Sequence, residues 1–234
     1  MTLEALRGGL VVSCQAPPGS PLRAPQHMAA MARAARAGGA CAIRAEGPTD
    51  IAAIAEAVDL PIIGLRKLDV PGTRVYITPT LESAREVVVA GAAVLAVDAT
   101  LRPRAGGLEP GAFLRTLGDE LAVPVLADVD TLEAGLRARE AGAAAVATTL
   151  AGYTGDGPPP GEPDVDLVAG LAARLDCPVV AEGRYATPAQ VARAFDAGAF
   201  AVVVGTAITE PVTLTRRFAA ATPDAAAHAA GGTS

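Results

Sequence analysis

The sequence has no tryptophan and no asparagine, and Lys67 is the single lysine among its 19 basic residues. Aromatic side chains make up 3% of the 234 residues, and the formal net charge is −6. A nucleic-acid-binding protein needs a basic surface and stacking rings, so this composition argues against that class. No apolar run reaches the roughly 18 residues that a membrane-spanning helix needs, so we expect no membrane partner either.

Cysteine is also scarce, and its three copies are far apart at Cys14, Cys41 and Cys177. An odd number without a CxxC pair argues against a disulfide framework and against a zinc knuckle. Residues 1–10 lack a basic segment followed by an apolar stretch, so they do not resemble a signal peptide. These features predict a cytoplasmic protein, and the 51% of hydrophobic residues suffices for a packed core.

Eight short runs rich in Val, Ile, Leu and Ala recur along the chain, and a segment with helical spacing follows each one. The runs are continuously apolar, which is typical of strands buried on both faces of a parallel sheet. Many helical segments end at an Ala-Gly pair, as helices commonly do. The predicted strands span residues 10–14, 41–44, 61–65, 94–98, 124–128, 145–148, 178–182 and 201–205, and the predicted helices span residues 25–37, 49–58, 80–90, 109–121, 131–141, 164–175, 187–197 and 211–220.

This order of elements predicts an α/β protein with a single domain, a (β/α)8 TIM barrel over residues 1–221. An open, doubly wound sheet is the alternative, but such a sheet usually has a glycine-rich fingerprint after its first strand. Here Gln15 is followed by Ala-Pro-Pro-Gly-Ser instead. Residues 222–234 are predicted to be a disordered tail, and residues 155–163 a stiff loop rich in Pro and Gly.

In barrels of this kind the catalytic residues lie at the carboxyl ends of the strands, where this chain has many polar residues. Some have structural explanations. Asp98 and Asp128 could cap a helix or pair with Arg44, and Cys14 is better explained as a small buried residue than as a nucleophile. Because such residues follow almost every strand, we favour a functional site. The candidates are Gln15, Arg44, Lys67, Asp128, Thr149 and Glu182.

The lone lysine suggests proton-transfer chemistry. An arginine stays protonated, whereas a lysine that is shielded from water can lose its proton and act as a base, or form a Schiff base. Glu182 is the candidate acid that returns a proton. Glycines after the last two strands, Gly183 and Gly205, predict a backbone cradle for a phosphate, aided by Arg184 and Thr206. No histidine cluster or dense carboxylate group suggests a metal, so we expect no metal and no cofactor.

Nine segments occur in an order and spacing that resemble the N-acylglucosamine-6-phosphate 2-epimerases over residues 3–220. The most specific are Ser-Cys-Gln-Ala at residues 13–16 and Thr-Thr-Leu-Ala-Gly-Tyr-Thr at residues 148–154. The others include Asp-Leu-Pro-Ile-Ile-Gly at 59–64, Tyr-Ile-Thr-Pro-Thr at 76–80, Val-Ala-Glu-Gly at 180–183 and Val-Val-Val-Gly-Thr-Ala-Ile-Thr at 202–209.

The resemblance implies a cofactor-independent isomerase that converts N-acetylmannosamine 6-phosphate to N-acetylglucosamine 6-phosphate in sialic acid and amino-sugar catabolism. It implies that Lys67 is the base at C2 of the open-chain sugar and that Glu182 is its acid partner. It also implies that the protein is a homodimer. Its small-molecule partner would be a sugar phosphate. The residues expected to hold the sugar are Gln15, Arg44, Asp128, Thr149 and Tyr153.

Three positions depart from the family pattern. Glu46 replaces a frequent Asn, Leu68 replaces a common Arg, and Glu210 replaces an Arg before the last helix. A carboxylate at Glu210 would repel a phosphate, which puts the affinity for the phosphate in question. Two alternative functions stay open: a Schiff-base lyase or aldolase that uses Lys67, and a non-catalytic protein that binds a sugar phosphate.

Overall fold

The computed structural model describes residues 3–155 and 160–223. Eight parallel strands form a closed barrel in chain order, and the last strand pairs with the first, so the doubly wound alternative is wrong. The strands are β1 (Leu10–Cys14), β2 (Ala42–Glu46), β3 (Ile62–Leu65), β4 (Val94–Asp98), β5 (Val125–Asp128), β6 (Ala145–Ala147), β7 (Val179–Glu182) and β8 (Ala201–Val204).

Helices cover the outside of the barrel, and one follows each strand. They are α1 (Pro25–Ala37), α2 (Pro48–Ala57), α3 (Leu81–Val89), α4 (Pro110–Glu120), α5 (Leu132–Glu140), α6 (Val165–Ala172), α7 (Pro188–Asp196), the short α8 (Thr206–Thr209) and α9 (Pro211–Ala219). Two 3₁₀ turns, Leu3–Leu6 and Ala105–Gly107, complete the elements of the described residues.

The core has two layers because the strands are apolar on both faces. Side chains such as Val11 and Leu126 fill the interior of the barrel. Others, such as Ile54 and Leu117, pack between the strands and the helices. Burying an aliphatic side chain of this size contributes about 1.5–3 kcal/mol relative to exposure. The interior of the barrel is therefore packed, and an open cavity lies at the mouth, beyond the strand ends.

Local sequence explains where several helices begin. Thr80, Thr131 and Thr187 each precede a helix, and their hydroxyls accept hydrogen bonds from the backbone N–H three residues later. Such caps satisfy N–H groups that have no partner within the helix. The capping threonines were within the predicted helices, and every predicted strand and helix is present with ends that differ by three residues at most.

Two differences from the sequence prediction affect the site. The second strand extends to Glu46, because Glu46 continues the pairing with β3 opposite Leu65. Helix α8 was not predicted, since four residues are too few to show helical spacing.

Two predicted segments extend beyond the described residues: residues 156–159 of the Pro/Gly loop and residues 224–234 of the tail. Within the described ranges, no helix combines the length and the apolar character needed to cross a membrane.

Candidate functional site

A cavity of about 910 Å³ opens at the carboxyl end of the barrel. Nine of the eleven predicted site residues line it, whereas Arg44 and Asp128 lie beneath its floor. The topology brings these residues together because parallel strands in a closed barrel all end at one rim. The nine lining residues are Gln15, Lys67, Thr149, Tyr153, Glu182, Gly183, Arg184, Gly205 and Thr206.

Lys67 lies just beyond β3, on a loop that folds back over the barrel mouth. Its backbone forms an antiparallel bridge with Ile77, and its Nζ donates a hydrogen bond to Gln15 Oε1 at 2.7 Å. The side chain is open to the solvent of the cavity, yet the surrounding protein displaces enough water to lower the pKa of the ammonium group. The positive charge of Arg44 lowers this pKa further, while Glu46, Glu182 and Asp128 oppose the shift.

Glu182, at the end of β7, belongs to a buried network that includes one cation and two carboxylates. Arg44 Nη2 lies 2.6 Å from Asp128 Oδ2, and Arg44 Nε lies 3.3 Å from Glu182 Oε1. Burial raises the pKa of Glu182; the charge of Arg44 lowers it and that of Asp128 raises it. A single guanidinium leaves the trio with one excess negative charge, which a proton on Glu182 or Asp128 removes, since burial raises the pKa of both carboxyl groups.

Thr149 joins the two carboxylates. Its hydroxyl oxygen lies 2.7 Å from Asp128 Oδ1 and 3.0 Å from Glu182 Oε2. A hydroxyl has one proton, so it can donate to only one of these carboxylates at a time. When Thr149 donates to Asp128, its oxygen is free to accept a hydrogen bond from protonated Glu182. The geometry therefore accommodates a proton on Glu182, and the reversed arrangement would accommodate one on Asp128.

The strand-seven and strand-eight ends present backbone to the cavity. Gly183 has φ +107°, a conformation that side chains rarely adopt, so the turn needs glycine here. Gly205 precedes α8 and lies close to β1: a Cβ atom there would meet Ser13 Cβ at 3.2 Å. These two glycines keep the chain free of side chains beside the cavity, and Thr206 adds a hydroxyl next to them.

Arg184 is placed differently from the other predicted phosphate residues. Its Nε donates to Glu162 O at 2.7 Å, its Nη1 donates to Ala151 O, and its guanidinium lies 5.2 Å from the centre of the Tyr153 ring. The guanidinium therefore holds the loop after β6 against the turn after β7, and only part of its donor capacity faces the cavity.

Asp98 has a structural role, one of the two explanations that the sequence left open. It accepts hydrogen bonds from the backbone N–H and hydroxyl of Thr100, and Arg102 Nη2 lies 2.6 Å from its Oδ2. Asp98 thus stabilises the turn after β4 and pairs with Arg102 rather than with Arg44. Among the described residues, no three His, Cys, Asp or Glu side chains cluster as metal ligands do.

The cavity lining also includes residues that the sequence did not single out for the site, among them Arg23, Glu46 and Tyr76. Glu46 was noted only as a departure, because the predicted strand ended two residues before it. Tyr76 reaches the cavity through the fold-back of its loop, where Leu68 N–H donates to Tyr76 O. Arg23 precedes α1 in a loop without periodicity, so nothing in the sequence places it at the site.

Glu210 lies at the cavity rim and also caps α9, where its Oε2 accepts a hydrogen bond from the Thr213 N–H at 3.0 Å. A carboxylate at a helix N-terminus is stabilised by the helix dipole, which offsets part of its charge. Arg217, from the same helix, also lines the cavity. The cavity rim therefore has a negative charge from Glu210 and a positive charge from Arg217.

Comparisons with known proteins agree on one family. A family model described as "Putative N-acetylmannosamine-6-phosphate epimerase" matches residues 28–224. A relative from Cutibacterium acnes, named "Putative N-acetylmannosamine-6-phosphate 2-epimerase", is 50% identical over 218 residues, which are 92% of this chain and 94% of the relative. A "Bifunctional enzyme NanE/NanK" from Brucella melitensis is 47% identical over 224 residues, which are 96% of this chain and 42% of that protein.

A solved structure matches as well. The N-acetylmannosamine-6-phosphate 2-epimerase from Clostridium perfringens superposes with a TM-score of 0.87 at 39% identity. The superposition covers 92% of this chain and 93% of the other.

Proposed function

Because the chain belongs to the N-acetylmannosamine-6-phosphate epimerase family, we propose that Lys67 and Glu182 invert C2 of its substrate. The chain is an isomerase that interconverts N-acetylmannosamine 6-phosphate and N-acetylglucosamine 6-phosphate, a step in sialic acid and amino-sugar catabolism. We propose the roles of the individual residues from the geometry of the site.

The reaction needs two proton transfers at one carbon. In the open-chain sugar, the C2–H bond lies next to the C1 aldehyde, so its electrons can move onto the C1 oxygen as the bond breaks. Neutral Lys67 takes the C2 proton and becomes an ammonium group, which leaves an enolate. Protonated Glu182 then donates a proton to the opposite face of C2, and the electrons return from oxygen to carbon. Proton exchange with water restores the starting forms.

The Thr149 bridge between Asp128 and Glu182 is the observation that best supports this assignment. It gives a protonated Glu182 an acceptor, while the lowered pKa of Lys67 favours a neutral amine. The two groups follow β3 and β7, which lie roughly across an eight-strand barrel. A base and an acid on opposite sides of the cavity suit an inversion of C2, since the proton must leave one face and arrive at the other.

The remaining side chains would orient the substrate. Gln15 and Tyr153 line the cavity, where they can contact sugar hydroxyls or the acyl group. Arg44 and Asp128 are 1% and 0% exposed, so they would act through their contacts with Glu182 and Thr149 and through the effect of their charges on the pKa of Lys67. Both proton transfers use side chains of this chain, and our mechanism includes no cofactor and no metal.

The phosphate would bind at the ends of β7 and β8. Gly183 and Gly205 leave the backbone accessible there, and Thr206 offers a hydroxyl beside it. Arg184 would contribute its positive charge at short range while its hydrogen bonds hold the neighbouring loop.

The enzyme would act as a homodimer in the cytoplasm. None of the residues of α9 is buried, and Phe218 on this helix is 78% exposed. A large exposed aromatic on an amphipathic helix suits a surface that a second copy covers. Light scattering coupled to gel filtration tests this proposal, and a mass near the 23.3 kDa of one chain would contradict it.

The test of the mechanism is proton NMR of N-acetylmannosamine 6-phosphate with the enzyme in D₂O. We expect deuterium at C2 together with formation of the epimer. Lys67→Arg keeps the charge but cannot supply a neutral amine, so it should slow both processes by about 10²–10⁴-fold. Circular dichroism should show the variant folded.

The same samples distinguish the alternatives. A Schiff base at Lys67 would be trapped by borohydride in the presence of the substrate, and the mass of the chain would increase. Binding of the sugar phosphate without deuterium exchange would indicate a non-catalytic protein. Either result would contradict the proposed mechanism.

A further inference from the structure

Two hydrogen bonds and one ion pair join the loop of the proposed catalytic lysine to the loop after β1. The Lys67 N–H donates to Glu46 Oε1 at 3.2 Å, and Glu46 Oε2 lies 3.6 Å from Arg23 Nη2. Arg23 Nη1 in turn donates to Ala16 O at 2.6 Å. Gln15, the residue next to Ala16, accepts a hydrogen bond from Lys67 Nζ, so the contacts lead back to Lys67. Both ends of Lys67, backbone and amine, are thus connected to one ring of contacts.

We propose that Glu46 and Arg23 form a positioning pair that sets the backbone at Lys67 and holds the Gln15 loop beside it. The inference rests on the proposed role of Lys67 as the base. Neither residue of the pair has a place among the proton-transfer groups described above. Their effect on the reaction is indirect and passes through the position and charge of Lys67.

The burial of the pair supports this role. The Glu46 side chain is 11% exposed, whereas that of Arg23 is 50% exposed. A half-exposed ion pair contributes little stability by itself. The hydrogen bond from the Lys67 N–H to the buried Glu46 carboxylate is therefore the stronger of the two contacts. The opposite side of the loop is fixed by the bridge to Ile77. On the β2 side, the Gly47 N–H donates to Leu65 O just before the loop, and Glu46 supplies the anchor at Lys67 itself.

The charge of Glu46 has a second effect. The groups that face Lys67 are Arg44 and Glu46 from β2, Asp128 from β5 and Glu182 from β7. Glu46 is one of the carboxylates that raise the pKa of Lys67. Glu46 itself faces Arg23 and, from α2, Asp50, on whose pKa both charges act. Removing the negative charge at Glu46 should lower the pKa of Lys67 even where the hydrogen bond is kept.

The single lysine allows a direct test. Labelling the chain with ¹³C-lysine gives one side-chain signal, from Lys67, and its shift against pH reports the pKa without any substrate. We expect Glu46→Gln to lower this pKa. Glu133→Gln is the control, because Glu133 is 67% exposed on α5 and should leave the titration curve unchanged.

Kinetics then separate position from charge. Glu46→Met removes the acceptor for the Lys67 N–H, so kcat should fall about ten-fold or more with KM changed by less than about three-fold. Glu46→Gln keeps an acceptor oxygen and should retain several-fold more kcat than Glu46→Met. Arg23→Met should also lower kcat, and its effect should be smaller in the Glu46→Met background, since the two residues act as a unit.

The outcomes are distinct. An unchanged Lys67 titration in Glu46→Gln, or a Glu46→Met enzyme with kcat within about two-fold of the parent, would overturn the proposal. If Glu46→Met does not fold, the Glu46→Gln titration and the kinetics of Arg23→Met decide. The NMR readout does not depend on activity, so a failure of Lys67 as the base would be seen separately, in the deuterium-exchange experiment.

Discussion

Arg44 and Asp128 form an ion pair in which 2.6 Å separate Nη2 and Oδ2, although the two side chains are 1% and 0% exposed. They come from β2 and β5, and 84 positions separate them in the sequence. Burying an unpaired charge costs free energy, so each of the two charges offsets part of the desolvation cost of the other. Because Glu182 shares the same guanidinium, the pair also sets the charge of the proposed acid.

Removing the shared cation should destabilise the fold. Arg44→Met leaves Asp128 and Glu182 without a counter-ion, and we expect the free energy of unfolding to fall by about 3–5 kcal/mol near neutral pH. The pKa of both carboxylates should rise, so the folded state binds protons more readily than the unfolded chain. Stability should then recover as the pH falls.

Urea denaturation at about pH 5.5 and about pH 7.5 measures this difference. Arg139→Met is the matched control, since it breaks an exposed pair with Asp176 and should change stability far less. An equal loss for Arg44→Met at both pH values would show that the carboxylates do not titrate as described.

The activity should depend on pH with a bell-shaped profile, because Lys67 and Glu182 each transfer a proton. The active enzyme holds one proton on Lys67 and Glu182 together. Burial lowers the pKa of Lys67 from its ordinary 10.5 and raises the pKa of Glu182 from its ordinary 4.5. The midpoint of the acid limb should therefore lie above pH 4.5 and that of the alkaline limb below pH 10.5. The pH range in which the enzyme is active should be correspondingly narrow.

Measurement of both kcat and kcat/KM against pH tests this prediction. The phosphate of the free substrate titrates as well, but it affects kcat/KM and not the limbs of kcat. A kcat that is constant across the range, or an alkaline limb above 10.5, would be incompatible with the assigned pair.

Cys14 should be chemically inert in the folded protein, although it lies at the end of β1 near the site. The thiol is buried, and burial raises its pKa to about 12, so the reactive thiolate is scarce. We expect slow alkylation by iodoacetamide at pH near 8 and rapid alkylation after unfolding, both measured by peptide mass spectrometry. Cys14→Ala should keep its activity within a few-fold. Fast labelling with loss of activity would assign Cys14 a role in the reaction.

Glu210 should weaken binding of the substrate while it stabilises α9. Glu210→Gln keeps an oxygen for the Thr213 N–H but removes the negative charge from the cavity rim. We expect KM to decrease by about two- to five-fold, with a smaller effect at high salt. Glu210→Ala should lower the free energy of unfolding by about 0.5–1 kcal/mol, because the cap is lost. A KM that is unchanged in Glu210→Gln would mean that the phosphate binds away from this residue.

The sequence by itself determined the barrel and singled out Lys67 as the candidate base. Eight continuous apolar runs that alternate with helical segments are local patterns, and a closed parallel barrel is the arrangement that buries both faces of every strand. Lys67 stood out because one lysine remained among 18 arginines, a feature of composition that needs no structure. The motifs after β1, β6, β7 and β8 indicated the family, which the comparisons confirm.

Only the tertiary structure decided how these residues share one site. It placed Arg44 and Asp128 beneath the cavity, turned the guanidinium of Arg184 towards backbone carbonyls, and brought Glu46 to the Lys67 backbone. These relationships depend on burial and on contacts between strands that are far apart in the sequence. Charge, desolvation and hydrogen bonding act through space, and so the pKa of a side chain such as Lys67 follows from its surroundings in the folded chain rather than from its neighbours along it.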